Sequence, residues 1–161
     1  MRDTMINRGL MKTYLCGSMS GLKDQGAGWR KKLGKWLDKH NIKAYDPCKE
    51  ELGEHTRYEI KDKSNWESFP QDLQETIMEK DLTQIKYFSD FIVCYFTRYS
   101  TGTISELAFA YYHGIPVYFV TDLSLKGWPL TVSRGIRNRV FNNFKDLKKF
   151  IKETYVKQTR D

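Results

Sequence analysis

Several protein classes are excluded by what this chain has little of. Its 161 residues hold only three cysteines, Cys16, Cys48 and Cys94, an odd number with no C-x-x-C spacing. That set is poor material for a disulfide framework or a metal site, so no metal is expected. Two of the three fall in strand-like runs, where a thiol behaves as a small apolar residue, and the cytoplasm is the natural compartment. No apolar run approaches the roughly 20 residues that span a bilayer. The amino end, Met1 to Leu10, is polar and lacks the apolar core of a secretory signal. No internal repeat or linker is visible.

Charge is not scarce, and it leans one way. Lys and Arg number 27 against 20 Asp and Glu, a net charge of +7. The lysines cluster on two predicted helices, Lys31, Lys32, Lys35 and Lys39, then Lys145, Lys148, Lys149 and Lys152. Such clusters read as solvated helix faces. No nucleic-acid recognition motif accompanies them, so nucleic acid is not the expected partner. A basic surface still concentrates anionic ligands such as nucleotides.

Apolar content of 40% and aromatic content of 14% describe a folded domain. Lys12 to Cys16 forms a short strand ending at Gly17-Ser18. Trp29, Leu33, Trp36 and Leu37 then recur at helical spacing, and Ile42 to Tyr45 forms a second strand. Residues 48–70 are polar and without period, an insertion or lid. Leu73, Ile77, Leu82, Ile85 and Phe88 mark the next helix, and Phe91 to Phe96 the third strand. A short helix from Thr103 to His113, a strand from Pro116, a short strand at 138–141 and a final helix through Tyr155 complete the chain. Strands alternate with helices of crossover length. The pattern predicts one α/β domain over 11–157, with a leader at 1–10 and a tail at 158–161. Its sheet is doubly wound and parallel, of about five strands, Rossmann-like or flavodoxin-like, with helices on both faces.

In such a sheet, ligands bind where the carboxyl ends of strands one and three flank a crevice. Strand one ends in Cys16-Gly17-Ser18-Met19-Ser20-Gly21, which can offer N–H groups and hydroxyls to a phosphate or a sugar. It is neither G-x-G-x-x-G nor a G-K-[ST] loop, so a dinucleotide cofactor is disfavoured. Strand three runs into Ser100-Thr101-Gly102-Thr103-Ile104-Ser105-Glu106, a glycine loop that delivers a carboxylate to the crevice. The same Thr103-Ile104-Ser105-Glu106 matches the S/T-x-x-E capping box, in which glutamate serves only its own helix. Spacing alone leaves both readings open. His40 and His113 sit at helix ends and read as C-terminal caps.

Taken in order, Tyr14-Leu15-Cys16-Gly17-Ser18, a helix with Trp29, Glu79-Lys80-Asp81-Leu82 and Gly102 to Ala110 resemble the nucleoside 2-deoxyribosyltransferase family. The resemblance runs from residue 12 to about 121, and more loosely to Phe141. The strand-one stretch also resembles relatives within the superfamily, the 2'-deoxynucleoside 5'-monophosphate N-glycosidases. It implies that Glu106 is the nucleophile that attacks the anomeric carbon, that Tyr14 orients it, and that Asp81 lies near the base. Gly17, Ser18 and Gly102 would touch the sugar or its 5' end, Thr103 is a further substrate-binding candidate, and Ser100 stands where transferases often carry aspartate and the monophosphate glycosidases carry serine. The resemblance also implies a homo-oligomer, dimer or larger, in which the region of Asn138 and Arg134, Arg137 and Arg139 completes a neighbour's pocket.

The chemistry supports that assignment independently. Cleaving an N-glycosidic bond passes through an oxocarbenium-like state that a carboxylate can stabilise and trap. Asp81 is the candidate acid for the departing base, and Trp29, Tyr45 and Trp66 are candidate base-facing rings. Three functions remain open: transfer of 2-deoxyribose from a nucleoside or its 5'-monophosphate to another nucleobase, hydrolysis of the monophosphate, and a non-catalytic nucleotide sensor. Phosphoribohydrolases share Gly-Thr-x-x-Glu but precede it with Pro-Gly-Gly, where this chain has Tyr99-Ser100-Thr101.

Overall fold

Runs that are apolar at every position, such as Phe91-Ile92-Val93-Cys94, have nowhere to put a polar face, so both sides of the strand must be covered. The structure, a computed structural model described over residues 9–19, 22–49, 66–123 and 139–156, builds such a layer. Five parallel strands form its centre: β1 (Met11–Gly17), β2 (Ile42–Tyr45), β3 (Phe91–Tyr95), β4 (Val117–Val120) and β5 (Arg139–Phe141). Their order is β2-β1-β3-β4-β5. The chain leaves β1 in one direction for β2 and returns on its other side for β3, so the switch point lies between β1 and β3.

Among the described residues, four helices cover the sheet: α1 (Ala27–Asp38), α2 (Gln71–Phe88), α3 (Thr101–Tyr112) and α4 (Phe144–Ile151). Period-two alternation divides the strand side chains between two cores. Tyr14, Cys16, Ile92, Cys94, Phe96 and Phe119 face Ile85 of α2 and Leu107 and Ala110 of α3. Leu15, Phe91, Val93, Tyr118 and Val120 face Leu33 and Leu37 of α1 and Leu147 and Ile151 of α4. The expected doubly wound architecture is therefore the observed one. The lysines Lys31, Lys32, Lys35 and Lys39 are exposed on α1, a solvated face.

Element ends shift by a residue or two from expectation, for local reasons. Helix α3 begins at Thr101 because Ser100 is extended and its hydroxyl accepts from the Thr103 N–H at 3.5 Å. The last helix passes into a π-helical turn at Lys152–Val156. Residues 1–8 of the leader, most of the proposed insertion (50–65) and the tail lie outside the described residues, as do Asn138, Arg134 and Arg137.

Candidate active site

Two side chains on the same face of β1 converge on one carboxylate of α3. Tyr14 and Cys16 stand two residues apart, so both point toward α2 and α3. The Tyr14 hydroxyl donates to Glu106 Oε1 at 2.8 Å, and the Cys16 thiol donates to Glu106 Oε2 at 3.0 Å. Both donors are fully buried. Glu106 occupies the second turn of α3, and its carboxyl reaches across the helix–sheet boundary over more than ninety residues of sequence. The helix cap is Ser100, so Thr103-Ile104-Ser105-Glu106 does not act as a capping box.

Electrostatics place this carboxyl under opposed forces. Burial raises its pKa above the usual glutamate value, while hydrogen bonds from Cys16 and Tyr14 and the positive charge of Arg30 pull it down. Tyr14 is held well above its ordinary value by burial first, then by the charges of Glu106 and Asp81. It remains a protonated donor across the working range. Asp81, on α2, is only 6% exposed and is close enough to contribute to that effect. Tyr45 of β2 stacks on Tyr14, with ring centroids 5.6 Å apart.

A second feature lies on the α1 side of the sheet, and none of Tyr14, Asp81 and Glu106 lines it. An open cavity of about 350 Å³ is lined there by Ser18, Leu22, Asp24, Gly26, Trp29, Tyr95 and Thr97. That volume suits a small ligand. Trp29 and Tyr95 meet edge to face at 5.6 Å and form its aromatic wall. Ser18 is nearly buried, and its hydroxyl donates to the Arg98 carbonyl at 3.2 Å. Gly17 lets β1 approach β3: a Cβ there would lie 2.8 Å from the Tyr95 carbonyl oxygen, so the strands could not close together with any larger residue.

The β1–α1 loop is locked by Arg30, a residue the sequence reading missed. Arg30 is 1% exposed. Its guanidinium donates to the carbonyls of Leu15 (3.2 Å), Gly17 (2.8 Å), Gly26 (3.1 Å) and Gln25 (3.4 Å), and Nε lies 3.8 Å from Asp46 Oδ1. Gly26 carries φ 74°, and a Cβ there would meet the Ser18 carbonyl oxygen at 2.9 Å. The first N–H groups at the α1 amino end are taken by Asp24, which accepts from Gly26 at 3.0 Å and Gly28 at 2.9 Å. Those bonds, Gly28 first, hold the Asp24 carboxyl below its usual value.

The sequence-selected residues thus fall into groups. Tyr14, Glu106 and Asp81 gather on the α2/α3 face, and Ser18 and Trp29 on the cavity side. Ser100, Gly102 and Thr103 form the start of α3, one turn before Glu106. Nothing lies within 4 Å of a Cβ built on Gly102, so packing does not demand glycine there. Asn138 and the side chain of Trp66 lie outside the described residues. His40 contacts the Trp36 carbonyl through Nδ1 at 2.8 Å, a helix-end role. Cys16 and Arg30 are the unforeseen members. Arg30 had a signal, since it stands at i, i+3 and i+7 with Leu33 and Leu37, on the buried stripe of α1.

No protein-family model and no curated protein matches the chain. Among solved structures, it is similar to a 2-deoxyribosyltransferase from the psychrotolerant bacterium Bacillus psychrosaccharolyticus, described as a suitable biocatalyst for industrial synthesis of antiviral and antitumoral nucleosides. The TM-score is 0.61 at 20% sequence identity, over 85% of this chain and 90% of the other. At that identity the likeness is one of fold, and this chain has the fold of that enzyme over most of its length.

Proposed function

We propose that this protein is an N-glycosidic enzyme that transfers 2-deoxyribose from a nucleoside, or its 5'-monophosphate, to another nucleobase. The observation that supports it best is the Glu106 carboxyl, enclosed at the β1/β3 switch point and held by one donor on each oxygen. A carboxylate so placed is costly for folding and suited to attack on an electrophilic carbon. The shared fold with a 2-deoxyribosyltransferase supports the same reading.

In the first step a Glu106 oxygen forms a bond to the anomeric carbon as the C1'–N bond breaks. The electron pair leaves on the base, which takes a proton from Asp81. In the second step a nitrogen of the incoming base attacks the same carbon and gives its proton to the Asp81 carboxylate, the ester bond breaks, and Glu106 leaves as carboxylate. Two inversions return the original anomeric configuration. Tyr14 keeps the carboxylate oriented through both steps. Trp29 supplies an aromatic surface to a planar base, and Ser100, Gly102 and Thr103 receive the sugar's 5' end. No cofactor is called for, and the working form is a homo-oligomer in the cytoplasm.

The test is a panel of nucleosides and 5'-monophosphates, with free base and new nucleoside followed by chromatography, with and without a second base. Transfer to the added base is the expected result. Release of base to water alone, from monophosphates only, would replace transfer by hydrolysis. Binding with no base release from any substrate would leave a nucleotide sensor. Unchanged activity in Glu106→Ala would remove the nucleophile.

A further inference from the structure

A glutamate nucleophile needs one orienting donor, and Tyr14 supplies it. The structure provides a second, Cys16, on the other oxygen. We infer that Cys16 is a positioning residue for Glu106, its S–H fixing the plane of the carboxylate and favouring the ionised form. This rests on the reading of Glu106 as the nucleophile.

A carboxylate bonded through one oxygen can still swing about its last side-chain bond. Bonded through both oxygens, to residues 14 and 16 of one strand, it cannot swing without losing a partner. The strand is rigid at this point, because Cys16 pairs in register with Cys94 of β3 and both thiols are fully buried. Arg30 holds the flanking carbonyls of Leu15 and Gly17, so the backbone on either side of Cys16 is fixed as well.

The thiol is kept as a donor rather than a rival nucleophile. Burial, followed by contact with Cys94 and the charge of Glu106, raises the Cys16 pKa well above the ordinary thiol value. The groups bonded to Glu106 are Tyr14 and Cys16 from β1, and the charge of Arg30 on α1 reaches it from the other side of the sheet. Cys94 of β3 and Asp81 of α2 act one step back, on Cys16 and Tyr14. Tyr14, Cys16 and Arg30 all favour the anion, against the burial that opposes it. Removing the Cys16 donor therefore shifts the balance toward the protonated, unreactive acid.

Glu106 ionisation can be read without catalysis, from carbon-13-labelled glutamate by NMR, with the resonance assigned by its loss in Glu106→Gln. In Cys16→Ala, Glu106 should titrate at higher pH than in the parent, and Cys16→Ser, which restores a donor, should return it to the parent position or lower. On the acid side of the optimum, kcat/KM for a deoxynucleoside should drop about three- to tenfold in Cys16→Ala and recover in Cys16→Ser, the loss falling on kcat rather than KM. An unmoved Glu106 titration in folded Cys16→Ala, or equal behaviour of Ala and Ser, would overturn the inference. Should the alanine variant fail to fold, the infrared S–H stretch of the parent decides. The band lost in Cys16→Ser should move to higher frequency in Glu106→Gln, and a band that stays put overturns the assignment. A Cys16-dependent titration of Glu106 in a protein that releases no base would uphold the contact and reject the reaction.

Discussion

Replacing Tyr14 with Phe deletes one oxygen and leaves the ring, its stacking on Tyr45 and its place in the core. What disappears is a 2.8 Å hydrogen bond from a fully buried hydroxyl to Glu106 Oε1. Hydrogen bonds to charged groups contribute about 1.5–3 kcal/mol, so kcat/KM should fall about 10- to 150-fold. If the whole bond counts toward folding at neutral pH, the melting temperature should fall by about 3–12 °C. The pH signature is more specific than either loss. Tyr14 stabilises the anion, so without it Glu106 holds its proton to higher pH and the acid limb of the rate profile moves up. Initial rates of base release across pH, with thermal unfolding of the same samples, check all three. An acid limb that stays in place despite a lower melting temperature would refute the reasoning, since Tyr14 would then only fill space.

Gly102→Ala should leave the melting temperature unchanged or raise it, by up to about 1 kcal/mol of helix propensity, because an added Cβ meets nothing within 4 Å. Substrate KM should nonetheless rise, and an unaffected KM would remove Gly102 from the site. Arg30→Met strips the charged fork from four backbone carbonyls and should cost about 3–5 kcal/mol, or about 6–20 °C in melting temperature. A loss of only a degree or two would show that the β1–α1 loop does not depend on it. The Glu106 carboxyl is raised in the folded state, so the native protein binds more protons there than the unfolded chain does. Stability should accordingly decline as pH rises through the window from the ordinary glutamate value to the raised one, and denaturant titrations should show that decline absent in Glu106→Gln.

Much of the fold was legible because fully covered strands leave only apolar residues to read. Phe91 to Phe96 and Val117 to Val120 announce themselves, and the crossover helices carry clear stripes. The start of α3 was harder, since Ser100, Thr101 and Thr103 are all capping types, and only the extended backbone at Ser100 selects it. Glu106 was visible through its loop, yet its competition with a capping box is settled by where the carboxyl points, a three-dimensional fact. Cys16 was legible as buried and illegible as a donor, because one thiol in an apolar run looks the same whether or not a carboxylate lies above it. Arg30 was hidden among the lysines of α1, although its position on the Leu33–Leu37 stripe marks it as buried.

The central claim is that Glu106 bonds covalently to the sugar. A deoxynucleoside mixed with the protein, without acceptor base and quenched rapidly in acid, should yield a peptide containing Glu106 heavier by one deoxyribosyl unit. The adduct should vanish on adding a second base and be absent in Glu106→Gln. Base release at full rate with no adduct on any peptide, under conditions where the first step outpaces the second, would contradict the account.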